Sequence, residues 1–156
     1  MPPPLDGQKR TYAVILELTS ERSLQVGRLG TCSFPPGFYL FAGSARRGLG
    51  PRLRSHLLRK KPLRWHVDYL RQEARVREVW WSEADAVSEC HWYRAALHLP
   101  GAREVVKGSG SSDCRCSSHL VHLPTPPSFQ KLRRTLPEGP IHRASIREMD
   151  TAPRSQ

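Results

Sequence analysis

Phe38-Tyr-Leu-Phe-Ala-Gly-Ser-Ala-Arg-Arg-Gly-Leu-Gly-Pro-Arg-Leu-Arg-Ser-His-Leu57 changes its period partway along. Phe38 to Ala42 is an apolar, aromatic run of strand length, and Gly43-Ser44 ends it. From Leu49 the apolar residues recur at Leu49, Leu53 and Leu57, with Leu58 beside them, which is a helical stripe. Arg52, Arg54, Arg59, Lys60 and Lys61 lie off that stripe. Pro51 is tolerated in a first helical turn, where no amide hydrogen bond is lost, and Pro62 ends the segment. A strand passing into a helix through a glycine-rich loop is the mark of an α/β domain.

Upstream, Tyr12-Ala-Val-Ile-Leu-Glu-Leu18 is β-rich, and Thr19 to Arg22 reads as a turn. Ser23 to Gly27 alternates apolar and polar residues and is expected to pair with the first strand as a hairpin. Downstream, His66 to Glu73 reads as a short helix, Val76 to Trp81 as a strand, and Ala86 to Leu97 as a helix stopped by Pro100-Gly101. Val105-Val106 and His119 to Leu123 are β-like. The expected order is β-β-β-α-α-β-α-β, a small, mainly antiparallel sheet flanked by helices, with flexible termini. Residues 1–9 read as a flexible leader, 10–124 as the domain, and 125–156 as a basic, disordered tail rich in Pro, Arg, Ser and Thr.

The chain has 156 residues, enough for one domain with a real core. Its 25 Lys and Arg against 14 Asp and Glu give a formal net charge of +11. Such a charge favours a partner that carries phosphates, although solubility or an acidic partner would also fit. The basic residues concentrate between Arg46 and Arg75. MPPPLDGQKR has no apolar run of the signal-peptide kind, and no stretch reaches the length of a membrane span. The expectation is therefore a cytoplasmic protein without a membrane partner, its four cysteines (Cys32, Cys90, Cys114 and Cys116) reduced.

Several residue groups are candidates for chemistry. Arg52 and His56, four residues apart, share one helical face. An Arg fork matches phosphate oxygens, and an imidazole beside it can carry a proton. The same spacing also occurs on ordinary surface helices. The loop Gly43, Ser44, Arg46 and Arg47 would let a phosphate approach the backbone, and Arg54, Arg59, Lys60 and Lys61 extend that basic face. His66 and Asp68 open the next helix, where Asp68 reads as an early-turn acid. Glu89 beside Cys90 is a carboxylate on a helix lined by aromatic residues, and one carboxylate suffices to hold Mg2+ with water and phosphate completing its shell. Asp113, Cys114, Cys116 and His119 resemble part of a Zn2+ site but lack a clear fourth ligand, for which Cys90 or Cys32 would have to come from a distance. A packed thiol pair in a polar turn is the reading preferred for them.

Together these pieces resemble the GIY-YIG nuclease superfamily. The resemblance is carried by Thr11-Tyr12, Phe38-Tyr-Leu-Phe-Ala-Gly-Ser-Ala45, Arg52-x-x-x-His56, Trp65-His-Val-Asp-Tyr-Leu70, Glu89-Cys90 and Gly110-Ser-Ser-Asp-Cys-Arg-Cys-x-Ser-His119. It is closest to a prokaryotic branch marked by that last block and sometimes fused to endonuclease III-type glycosylases. The resemblance implies a divalent-metal-dependent endonuclease hydrolysing DNA phosphodiesters, DNA being favoured over RNA, in DNA repair or processing. It implies Tyr12 as general base or orienter of water, Arg52 as stabiliser of phosphate charge, and His56 as proton carrier or phosphate ligand. His66 matches the place of a further active-site histidine, Glu89 would hold one Mg2+ or Mn2+, and a DNA-repair glycosylase would be a partner. Two departures stand out. The first motif reads Arg10-Thr-Tyr12 without its Gly, and the second reads Phe41-Ala-Gly43, with Phe41 where a Tyr is expected. Tyr39 is considered as a substitute for the missing phenol, and Ser112 or Asp113 for the Asn that often closes the family's site. A catalytically weak nucleic-acid-binding module that keeps the fold is the alternative.

Overall fold

The computed structural model describes residues 10–45, 49–57, 66–83, 86–104 and 119–146. The elements run β1 (Arg10–Leu18), β2 (Arg22–Gln25), a 3-10 turn (Gly27–Leu29), β3 (Thr31–Phe34), β4 (Gly37–Ala45), α1 (Leu49–Leu57), α2 (His66–Arg71), β5 (Arg75–Ser82), α3 (Glu89–Leu97), β6 (Arg103–Glu104), β7 (Leu120–Leu123), α4 (Phe129–Arg133) and β8 (Ile141–Ser145). Six strands form one antiparallel sheet in the order β6-β7-β4-β1-β5-β8. The mixed α/β architecture with a small antiparallel sheet is the one expected from the sequence.

β1 lies at the centre because both of its faces are apolar, as a strand covered by helices on both sides requires. Tyr12, Val14, Leu16 and Leu18 join α1 and α2 through Leu49, Leu53, Val67 and Leu70. Ala13 and Ile15 meet the other layer, built on Trp80, Trp92, Ala96 and Leu132 of β5, α3 and α4. The pairing of β1 with β5 shifts register between Ile15 and Leu16. That irregularity brings Val76 to the same face as Val79 and Trp81, although they are an odd number of residues apart.

The expected hairpin between the first two strands does not form. β2 pairs with β3 in a separate two-stranded ribbon. The reason is that β4 occupies one edge of β1 and β5 the other, so no backbone groups of β1 are left for β2. α3 begins at Glu89, three residues later than the sequence pattern suggests, because Ser88 caps it. The Ser88 side chain accepts from the His91 amide while the His91 ring accepts from the Ser88 amide. α2 ends at Arg71 rather than Glu73. The strand expected at Val105-Val106 lies outside the described residues, and β6 is the preceding pair Arg103–Glu104.

The largest correction concerns the C-terminal boundary. Residues expected to be a disordered tail from 125 onward instead form α4 and β8 and carry the fold through residue 146. Phe129 sets its ring edge-on to Trp80, with centroids 5.1 Å apart, and Leu132, Leu136 and Ile141 are buried in the same layer. β8 completes the edge of β5, where Arg143 grips both carboxylate oxygens of Glu78 at 2.8 and 3.0 Å. Four apolar side chains are too sparse to form a core by themselves. They suffice to dock onto a sheet face that already exists.

Candidate functional site

Antiparallel pairing places the start of β1 beside the end of β4, with Tyr12 opposite Gly43 and Thr11 opposite Ser44. The site grows from this corner. A Cβ at Gly43 would stand 2.6 Å from the Tyr12 hydroxyl oxygen and 3.2 Å from Phe41, so only glycine leaves room for the phenol. This gives Gly43 a reason different from the phosphate approach expected of it.

α1 follows β4 and packs over the same face through Leu49 and Leu53, which turns His56 inward. Its Nε2 lies 2.7 Å from the Tyr12 hydroxyl. Arg52 reaches back to donate from Nη1 to the Ser44 carbonyl at 2.9 Å, and its charge also acts on the Tyr12 phenol. Burial pushes the Tyr12 ionisation far above the ordinary tyrosine range, Arg52 opposes this, and the charges of Glu89 and Asp68 add to it. Tyr12 is therefore a neutral phenol at physiological pH, and four side chains from three helices act on it.

Glu89 arrives from the opposite layer. Thr11, next to Tyr12, donates from its hydroxyl to the Val87 carbonyl at 2.7 Å and accepts from the Trp92 indole at 3.0 Å. These two bonds fix the start of α3 against the start of β1, so Glu89 stands at the same corner. Its side chain keeps 22% of its surface exposed, while His119 beside it has none. Glu89 Oε2 is 3.7 Å from His119 Nδ1, and Cys90 Sγ is 3.8 Å from His119 Nε2. His119 is held at the start of β7, where its carbonyl accepts from the Ala42 amide at 2.9 Å.

The structure thus gathers Tyr12, Arg52, His56, Glu89 and His119 at one end of the central strands. His66 begins α2. Arg54 is exposed on α1, away from Leu49 and Leu53. Arg46, Arg47, Arg59, Lys60, Lys61, Ser112, Asp113, Cys114 and Cys116 lie outside the described residues. Tyr39 does not replace the missing phenol of the second motif. Its hydroxyl donates to the Pro35 carbonyl, and its ring packs edge-on to Phe34 and His122. It thus faces the far end of β4. Phe41 itself lies beside His56, with ring centroids 5.6 Å apart.

Residues 11–138 match the family model described as Domain of unknown function DUF123. The chain belongs to that family. No curated protein and no solved structure matches the chain. The DUF123 match ends beyond α4, so that helix belongs to the family domain rather than to an appended tail. Among the described residues, no group of three or more His, Cys, Asp and Glu side chains is arranged to hold a metal ion, and no helix is long and apolar enough to cross a membrane.

Three features of the DUF123 site were not legible as chemistry in the sequence. Asp68, read as an early-turn acid, is almost fully buried and acts on Tyr12. Arg71, on α2, is also buried and donates to the carbonyls of His56, Leu57 and Ala74 at 3.2, 2.8 and 2.7 Å. It closes the C-terminal turn of α1, the turn that carries His56. Cys90 meets His119 across 29 residues of chain. Each depends on contacts between elements, and no local spacing announces them.

Proposed function

We propose that this DUF123 domain is a divalent-metal-dependent endonuclease of the GIY-YIG type that hydrolyses DNA phosphodiesters in repair or processing. The observation that carries the reading is the hydrogen-bonded Tyr12–His56 pair with Arg52 and Glu89 acting on the same phenol. Four of the five residues that the GIY-YIG resemblance singles out, Tyr12, Arg52, His56 and Glu89, come from β1, α1 and α3 to this corner, while His66 begins α2.

In this reading Arg52 offers its guanidinium to the scissile phosphate and offsets the charge that grows on it. Tyr12, neutral because it is buried, does not act as a preformed phenolate. Its hydroxyl orients the attacking water, and the proton passes along the hydrogen bond towards His56 Nε2. Glu89, the part-exposed carboxylate of the corner, would hold Mg2+ or Mn2+, since a carboxylate oxygen suits either ion with water and phosphate completing its shell. When bound, the ion would polarise a phosphoryl oxygen and stabilise the leaving group.

A second reading is a catalytically weak nucleic-acid-binding module. Phe41 supports it, since an apolar ring stands by His56 where the superfamily has a phenol. Cleavage of labelled single-stranded, duplex and branched DNA with Mg2+ or Mn2+ separates the two. The nuclease reading expects metal-dependent cutting that Glu89→Ala and Arg52→Ala each abolish. Binding without cutting by the wild type would leave the binding module.

A further inference from the structure

The ring of His119 is flanked by two side chains from the first turn of α3. Nε2 faces Cys90 Sγ at 3.8 Å, a distance suited to a hydrogen bond with sulfur, and Nδ1 faces Glu89 Oε2 at 3.7 Å. The second distance is too long for a direct N–H···O bond, which closes to about 2.7–3.2 Å. It is close to the separation of two ligands on one ion, about 3.0–3.4 Å when each stands about 2.1 Å from the metal. His119 is also fully enclosed, against the Tyr93 ring at 6.1 Å and with its own carbonyl tied to β4. Its orientation is therefore set before any ligand arrives.

We propose that His119 Nδ1 is a second protein ligand, beside Glu89, for the divalent ion of this site, and that Cys90 accepts Nε2–H to hold the ring in the tautomer this needs. The proposal rests on the reading of Glu89 as a metal carboxylate. Metal-bound histidines usually give their other N–H to a neighbouring acceptor, and a cysteine sulfur serves here. Because Nδ1 and Nε2 point to opposite sides of the ring, Cys90 cannot share the ion bound at Nδ1. The donor set is thus one carboxylate and one imidazole. A nitrogen ligand favours Mn2+ over Mg2+, which prefers oxygen throughout.

The test uses the full chain with Mn2+ alone, read by calorimetry and by pulsed electron paramagnetic resonance for a directly bound 14N. Wild type is expected to bind Mn2+ with a nitrogen coupling and to prefer it to Mg2+. His119→Gln, its folding checked by circular dichroism, should lose the coupling and bind at least about tenfold more weakly. Cys90→Ala should keep the coupling while weakening Mn2+ by about tenfold or more, as loss of an outer partner does. Mn2+ bound by wild type without nitrogen coupling overturns the proposal and leaves the Glu89 metal reading standing, with no variant needed. A coupling that survives His119→Gln also overturns it. If wild type binds no Mn2+ and Glu89→Gln changes nothing, both the proposal and the metal reading fall.

Discussion

Tyr12 and His56 are 44 residues apart in the chain and 2.7 Å apart in the fold, a hydrogen bond sealed between β1 and α1. Both partners are buried, so removing one takes a buried hydrogen bond from the other. Tyr12→Phe should therefore cost about 1–3 kcal/mol of stability, the range for leaving a buried polar group unpaired. If Tyr12 works as proposed, the same change should lower the cleavage rate by about a hundredfold or more. Urea denaturation and single-turnover cleavage measure the two separately. Full activity in a stable Tyr12→Phe protein would remove Tyr12 from the chemistry.

Gly43→Ala should be costly although alanine is the smallest possible addition. Its Cβ would meet the Tyr12 hydroxyl at 2.6 Å, so the phenol or the strand must move. Overpacking of this kind costs about 1–3 kcal/mol. A histidine-selective NMR spectrum should show His56 losing its hydrogen bond to Tyr12. Unchanged His56 resonances would mean that the corner has more slack than its geometry implies.

Alkaline pH should weaken the fold through Tyr12 and Tyr39. Burial raises both ionisations above the ordinary value of 10.0, opposed in part by Arg52 at Tyr12 and by Arg103 at Tyr39. The folded state then keeps protons that the unfolded chain has lost. The corresponding stability is complete below about pH 10 and is lost as pH climbs above it. Urea midpoints between pH 8 and pH 11 should fall on the alkaline side, and less steeply in Tyr39→Phe. A flat profile would contradict the burial of both phenols.

Arg71→Lys should be far from conservative. Its guanidinium serves three carbonyls at once, on the last residues of α1 and on Ala74, and a single ammonium has no such fork. Losing one or two of these charged hydrogen bonds in a buried place costs about 2–4 kcal/mol. The measurement is the urea midpoint, with hydrogen exchange at the end of α1 as the local readout. Protection there that stays at the wild-type level would show that Arg71 does not hold this turn.

A chain ending at residue 124 should not fold stably. It would expose Trp80 and remove Phe129, Leu132, Leu136 and Ile141 from their layer. Each fully buried apolar side chain contributes about 1.5–3 kcal/mol, so their joint loss rivals the whole stability of a small domain. Circular dichroism and dye binding of chains ending at 124 and at 146 decide this. Equal stability of the two would restore the shorter domain.

The sequence by itself determined the layers. The apolar run of Tyr12 to Leu18, the strand-to-helix switch between Phe38 and Leu57, and the amphipathic stripe of Leu49, Leu53 and Leu57 are local periodicities, and local backbone geometry follows from them. It also brought forward Arg52, His56 and Glu89, since an Arg–His pair on one helix turn and a lone carboxylate among aromatics can be read from spacing alone. Tertiary structure alone decided which strand pairs with which. A pattern of alternation gives β2 a face but not a partner, and β1 had no edge to offer it. Likewise, Phe129 and Ile141 look like stray apolar residues in a polar stretch until Trp80 gives them a surface. The companions of the site belong to the same class. Asp68 under Tyr12, Arg71 behind His56, and Cys90 against His119 are brought together by packing between elements, where distance along the chain carries no information about distance in space.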